Sequence, residues 1–104
     1  MVNLKELQKD VYKNKIDKGF NVTDINKEFC LTYGELAEAY EAWQKNKDDL
    51  GEEIADVVIY LLGLSEILNI DLENEILKKI NKNRHREYKI IDGVNTRTKE
   101  YYDN

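Results

Sequence analysis

Residues 50–69 read LGEEIADVVIYLLGLSEILN, and the way this stretch buries its side chains decides the fold. Across 54–64 it is apolar nearly all the way round, with Asp56 as the one charge. A helix of that kind is normally buried among other helices or at a subunit interface. Asp49 and Glu52 precede the run at the spacing of a capping box, so the pattern predicts a helix over 50–69. The chain contains no proline, the residue that most often breaks helices, and long uninterrupted helices suit such a sequence.

Working back toward the N-terminus, the polar stretch 44–49 reads as a connection. Before it, Ile25, Phe29, Tyr33, Leu36, Tyr40 and Trp43 recur in steps of three or four, which is one face of a helix over 24–45. Thr23 is the expected N-cap, with Asp24 well placed against the helix dipole. Glu35 and Glu38 lie well off the aromatic stripe, and Tyr40 and Trp43 are expected to pack in the core. A first helix is predicted over 2–18, with a thin stripe of Leu4, Leu7, Val11 and Ile16, and Gly19 as its stop.

Toward the C-terminus, Asp71 caps a fourth helix with Glu73 and Glu75 in its first turn. Leu72, Ile76 and Ile80 mark its expected buried side, and it ends near Arg86. The tail from 88 onward is expected to be largely irregular, with the Asp92-Gly93 turn signal leaving room for a short hairpin. Short connections make successive helices antiparallel neighbours. The expected fold is therefore all-α, a four-helix bundle-like protomer over 1–88 with a tail over 89–104. A domain of 104 residues often gains core by associating with another copy of itself.

With 41% hydrophobic and 36% charged residues, the composition is that of a folded, soluble domain. A formal net charge of −5 argues against non-specific nucleic-acid or membrane binding, and makes a metal ion the natural mediator to any polyanionic substrate. Cys30 is the sole cysteine, which points to a reducing, cytoplasmic setting without disulfides. No apolar run of signal-peptide or membrane-span character is present.

The chemistry is carried by two acidic pairs, Glu35-x-x-Glu38 and Glu53-x-x-Asp56. Residues three apart share a helix face, so each pair projects two carboxylates in one general direction. Folding the helices back on each other sets Glu35 level with Asp56 and Glu38 level with Glu53, about a turn within 44–49. Clustered carboxylates repel, and residues 50–77 contain no lysine or arginine to neutralise them. A hard divalent cation resolves this, and oxygen-only ligands favour Mg²⁺, or Mn²⁺, over zinc. An interhelical salt bridge is the other reading of Asp56, and a solvated surface that of either pair alone.

A basic cluster, Lys79-x-x-x-Asn83-Arg84-x-Arg86, ends the fourth helix. Lys79, Asn83 and Arg86 share a face that suits phosphate oxygens and a sugar, although basic residues also favour helix C-termini for their effect on the macrodipole. His85 is expected to be an exposed bystander. Phe20, just past a helix end, is open to stacking on a base.

The segments GELAEA (34–39), EEIADVVIYLL (52–62), Ile70-Asp71-Leu72 and the Lys79 to Arg86 cluster together resemble the MazG-type all-α nucleoside triphosphate pyrophosphohydrolases. The resemblance covers roughly 20–88. It implies Mg²⁺-dependent cleavage of a (d)NTP between its α and β phosphates, releasing a monophosphate and pyrophosphate. It implies Glu35, Glu38, Glu53 and Asp56 as metal ligands, with Glu38 or Glu41 orienting the attacking water. Lys79, Asn83 and Arg86 would contact phosphate and sugar, and the assembly would be a homodimer or homotetramer. Many members carry a glutamate two residues before the glycine, where this chain has Thr32. The register starting at Glu35 keeps every carboxylate. The alternatives are a phosphoribosyl-ATP pyrophosphohydrolase, and a non-catalytic helical oligomer or interaction module.

Overall fold

The structure, a computed structural model, describes residues 1–102. Among them are four helices, α1 (Leu4–Asp17), α2 (Ile25–Gln44), α3 (Leu50–Ile67) and α4 (Leu72–His85), followed by strands β1 (Glu87–Ile91) and β2 (Val94–Lys99). The expected all-α class holds, with one small sheet added. Contacts group the chain into two compact units, Met1–Leu72 and Glu73–Asn104.

In the first unit α3 is the centre, packed against both α1 and α2. Its buried residues are Leu62, Gly63, Leu64 and Ser65. Gly63 marks a close crossing of α1, because a Cβ there would sit 3.1 Å from Lys15 Cδ and 3.3 Å from Val11 Cγ1. The helix stops at Ile67 rather than 69, where Asn69 turns left-handed and Ile70 N–H donates to Ser65 O at 2.8 Å. Asp49 stands at the N-cap but makes no side-chain capping bond, so the expected capping box does not form.

The expected faces of α1 and α2 are both corrected. The buried side chains of α1 are Gln8 and Lys15, while Leu7 and Ile16 are exposed. Gln8 staples α1 to the α3–α4 connection: Nε2 donates to Ile70 O at 2.7 Å and Oε1 accepts from Leu72 N–H at 3.4 Å. On α2 the buried residues are Glu28, Ala39 and Ala42, with Thr32 and Glu35 half-buried between them. The aromatic stripe faces solvent instead: Tyr40 and Trp43 are 58% and 64% exposed, stacked on each other at 6.1 Å. The two alanines let α3 approach closely, and bulky rings on that face would hold it away.

Gly19 ends α1 as expected, with a φ of 72°, and Phe20 N–H donates back to Lys15 O at 2.9 Å. The N-cap of α2 is Asp24 rather than Thr23. Its Oδ1 accepts from Lys27 N–H at 3.1 Å, and its own N–H is held by Asn21 Oδ1 at 3.1 Å. This interhelical turn feeds a buried ion pair, Lys15 Nζ to Glu28 at 2.5 Å, with Glu28 only 1% exposed.

In the second unit α4 has no buried residue, and Ile76 and Ile80, expected inside, are exposed. The tail is an ordered antiparallel hairpin rather than an irregular segment. Ile91 pairs with Val94 across Asp92-Gly93, both with positive φ, which is the two-residue turn that the twist of a hairpin favours. Residues 103 and 104 of the predicted tail lie outside the described residues.

Candidate metal centre

α2 and α3 run back from a short connection and bring three of the four expected acids together. Glu35, Glu38 and Glu53 each offer a carboxylate oxygen, and these oxygens lie within 4.8 Å of one another. Glu35 and Glu53 are half-buried and Glu38 is exposed. Asp56 is half-buried and outside this trio, yet its charge acts on both half-buried members.

Burial and neighbouring negative charge raise two of these acids. Burial, then the charges of Glu38 and Asp56, push the Glu35 carboxyl above its ordinary range. Burial also leads for Glu53, followed by the charges of Asp49, Glu38, Asp56 and Glu52. None of the four acids takes part in an ion pair among the described residues, so the salt-bridge reading of Asp56 is not met. Glu53 Oε2 is buried with no hydrogen-bond partner. An orphaned carboxylate oxygen is costly unless something positive completes it. An all-oxygen donor set with one such atom fits a hard divalent cation.

Glu41 lies outside the trio. It is exposed and bonded to Lys45 Nζ at 2.5 Å, and that bond, with the charges of Lys45 and Lys47, lowers its carboxyl below the usual range. Thr32, at the alternative start of the motif, donates its hydroxyl to Glu28 O at 2.8 Å on its own helix.

Two features escaped the sequence reasoning. Tyr60 follows Asp56 by one turn of α3, and its phenol is pushed up by burial, then by the charges of Glu35, Glu28, Asp56 and Glu38. Its spacing of four from Asp56 was the available signal, a polar tip in an apolar run. The Lys15–Glu28 pair joins residues 13 positions apart on different helices, and no local pattern marks it. Lys15 Nζ also sits 5.2 Å from the Tyr60 ring centroid. Phe20 is 56% exposed and lines a cavity with Val11, Ile59 and Tyr60.

In the second unit Lys79 lines a surface groove of about 360 Å³ with Glu75, Lys78, Lys82 and Tyr102. Asn83 and Arg86 bond to each other, Nη1 to Oδ1 at 3.0 Å. The rest of the Arg86 fork is held by Glu100, through Nε at 2.6 Å and Nη2 at 3.0 Å. This clamp is the main cause holding the Glu100 carboxyl down at about 2. His85 is exposed and stacks on Tyr101 at 4.7 Å.

The model of the MazG-like family matches residues 26–103. The chain is similar to dCTP pyrophosphatase 1 of Rattus norvegicus, 38% identical over 64 residues, covering 51% of this chain and 38% of that protein. It is also similar to dCTP pyrophosphatase 1 of Mus musculus, 36% identical over 64 residues with the same coverage of 51% and 38%. The chain thus matches well under half the length of these relatives. No solved structure matches it.

Proposed function

This chain belongs to the MazG-like family, and we propose that it is a nucleotide pyrophosphohydrolase acting on (d)NTPs with Mg²⁺ or Mn²⁺. The reaction in this reading cuts the bond between the α and β phosphates, giving a monophosphate and pyrophosphate. The convergence of Glu35, Glu38 and Glu53, with one orphaned oxygen on Glu53, is the observation that carries it. The relatives named for dCTP make that nucleotide the first substrate to offer.

Glu35, Glu38 and Glu53 would hold the ion, with Asp56, whose charge acts on both Glu35 and Glu53, as the proposed fourth ligand. When bound, such an ion neutralises the triphosphate and the charge that develops as the bond breaks. Glu38, the exposed member, is positioned to accept a proton from water entering from solvent. Glu41 is the weaker candidate for that role, since its lowered carboxyl pKa makes it a poorer base. Lys79, Asn83 and Arg86 are proposed as phosphate and sugar contacts, each testable by its own substitution.

The exposed stripe on α2 supports association of copies. Tyr33, Leu36, Tyr40 and Trp43 are all more than half exposed, and Ile54 of α3 is 52% exposed. Contiguous apolar surface of this kind marks an interface more often than a free face. A homodimer or homotetramer follows from this reading. No helix among the described residues is long and apolar enough to cross a membrane. The exposed thiol of Cys30 suits the proposed cytoplasmic setting.

The test is pyrophosphate release from a panel of (d)NTPs and phosphoribosyl-ATP, with Mg²⁺ present and absent. Glu38→Ala and Asp56→Ala, made singly, are each expected to lower kcat by at least about 100-fold. Wild-type rates in both variants would reject the site. Turnover of phosphoribosyl-ATP alone would move the protein to that reaction. No metal binding and no turnover would leave a non-catalytic helical oligomer.

A further inference from the structure

A cavity of about 250 Å³ opens between the first two turns of α1, the end of α3 and the connection that follows it. Lys5 and Lys9 line it from α1, Glu66 from α3, and Asn69 and Asp71 from the connection. It is remote from the acidic trio. Glu66 lies about 20 Å along α3 from Glu53, at 1.5 Å per residue, which is too far for one small ligand to span.

The frame of this cavity is held by groups that satisfy one another. Gln8 is buried, and its amide bonds to Ile70 O and Leu72 N–H tie the connection to α1. Lys5 Nζ pairs with Asp71 at 3.1 Å. Asn69 turns left-handed, with a φ of 58°, and Ile70 N–H returns to Ser65 O at 2.8 Å. The rim is therefore fixed to both helices before anything binds.

Two charges on the walls are left over. Lys9 and Glu66 take part in no ion pair among the described residues, with each other or with a third group. The side chains of Lys9, Glu66 and Asn69 also have no hydrogen-bond partner among them. Glu66 is half-buried, so its unpaired carboxylate has lost part of its hydration without a replacement. A concave site with a few unsatisfied polar groups is the usual form of a small-molecule site. A simple anion would gain Lys9 and be opposed by Glu66, and a simple cation would meet the reverse. A molecule that carries both signs gains from both walls. The volume, about 250 Å³, lies just under the range of about 300–1,000 Å³ that drug-sized ligands occupy, and suits a smaller one.

We propose that this cavity binds a free α-amino acid, with its carboxylate on Lys9, its ammonium on Glu66 and a further hydrogen bond from Asn69. The site is separate from the acidic trio and does not depend on the chain being a pyrophosphohydrolase. The bound amino acid bridges α1 and α3, and so stabilises the folded chain.

The test is NMR titration of the full chain, without metal or nucleotide. The common α-amino acids are added in turn, then acetate and methylammonium, which each carry one of the two charges. At least one amino acid should shift the amides of residues 5–9 and 66–71 saturably, with a Kd at least about tenfold below that of acetate or methylammonium. Lys9→Met and Glu66→Gln should each raise that Kd about tenfold. No saturable shift with any amino acid overturns the proposal, and so does acetate or methylammonium binding as tightly. Unchanged affinity in the two variants overturns it as well, by placing the ligand elsewhere. The wild-type titration decides the question even where a variant fails to fold.

Discussion

Glu53 shows at the residue scale why the acids on α2 and α3 are more than a charged surface. One of its oxygens is buried without a donor, and the charges that raise its carboxyl are those of other carboxylates. Burial, then the charges of Glu38 and Asp56, likewise raise the Glu35 carboxyl above the ordinary 4.5. A folded-state pKa above the unfolded one means that the folded protein holds the proton longer. Metal-free stability from this group is therefore unaffected well below pH 4.5 and falls as pH rises through the raised value. Glu35→Gln should raise the melting temperature of the metal-free protein at pH 7, and the gain should vanish near about pH 4. Mg²⁺ at pH 7 should stabilise wild type and do so less for the variant. Thermal melts with chelator and with Mg²⁺ read both effects. Equal melting temperatures for the two proteins at pH 7 without metal would show that neither burial nor its neighbours' charge penalises the Glu35 carboxylate.

Each helix presents faces that its own sequence distinguishes, but it does not say which neighbour each face meets. On α2 the line through Glu28, Thr32, Glu35, Ala39 and Ala42 turns inward, and the line of Tyr33, Leu36, Tyr40 and Trp43 turns outward. Ordinary amphipathic reasoning reverses that assignment, because it sends the larger apolar residues to the core. The α4–hairpin element has a different logic. A two-stranded sheet with every residue exposed is marginal alone. Glu100 ties its end to Arg86, the guanidinium that the sequence singled out for phosphate. The Glu100 carboxyl, depressed from 4.5 to about 2, contributes stability that is present above pH 4.5 and is lost as pH falls toward 2. Amide protection factors in residues 87–99, which correct for the intrinsic slowing of exchange in acid, should fall across that window in wild type. In Glu100→Gln the protection should be low already at neutral pH and change little on acidification. A hairpin equally protected in both proteins would show that the clamp does not hold it.

For the whole molecule the decisive feature is the apolar surface that one copy leaves open. If the α2 stripe is an interface, wild type should sediment as a dimer or tetramer. Leu36→Asp with Trp43→Asp should then give a monomer with its helical circular dichroism retained. A wild-type monomer at micromolar concentration would reject the association. The sequence by itself determined the four helices, most of their ends and the spacing of the acidic pairs. These are local matters: a 3.6-residue repeat, a glycine that turns left-handed at 19, an acid three residues from another. The hairpin was only partly legible, because Asp92-Gly93 announced a turn but the exposed strands beside it carry no buried alternation. Tertiary structure alone decided that Glu35, Glu38 and Glu53 converge, and that Lys15 and Glu28 meet inside the protein. The reason is rotational. How far each helix turns about its axis is set by the side chains it meets on another helix, here alanines on α2 and a glycine on α3, and that fitting is written across the chain rather than along it.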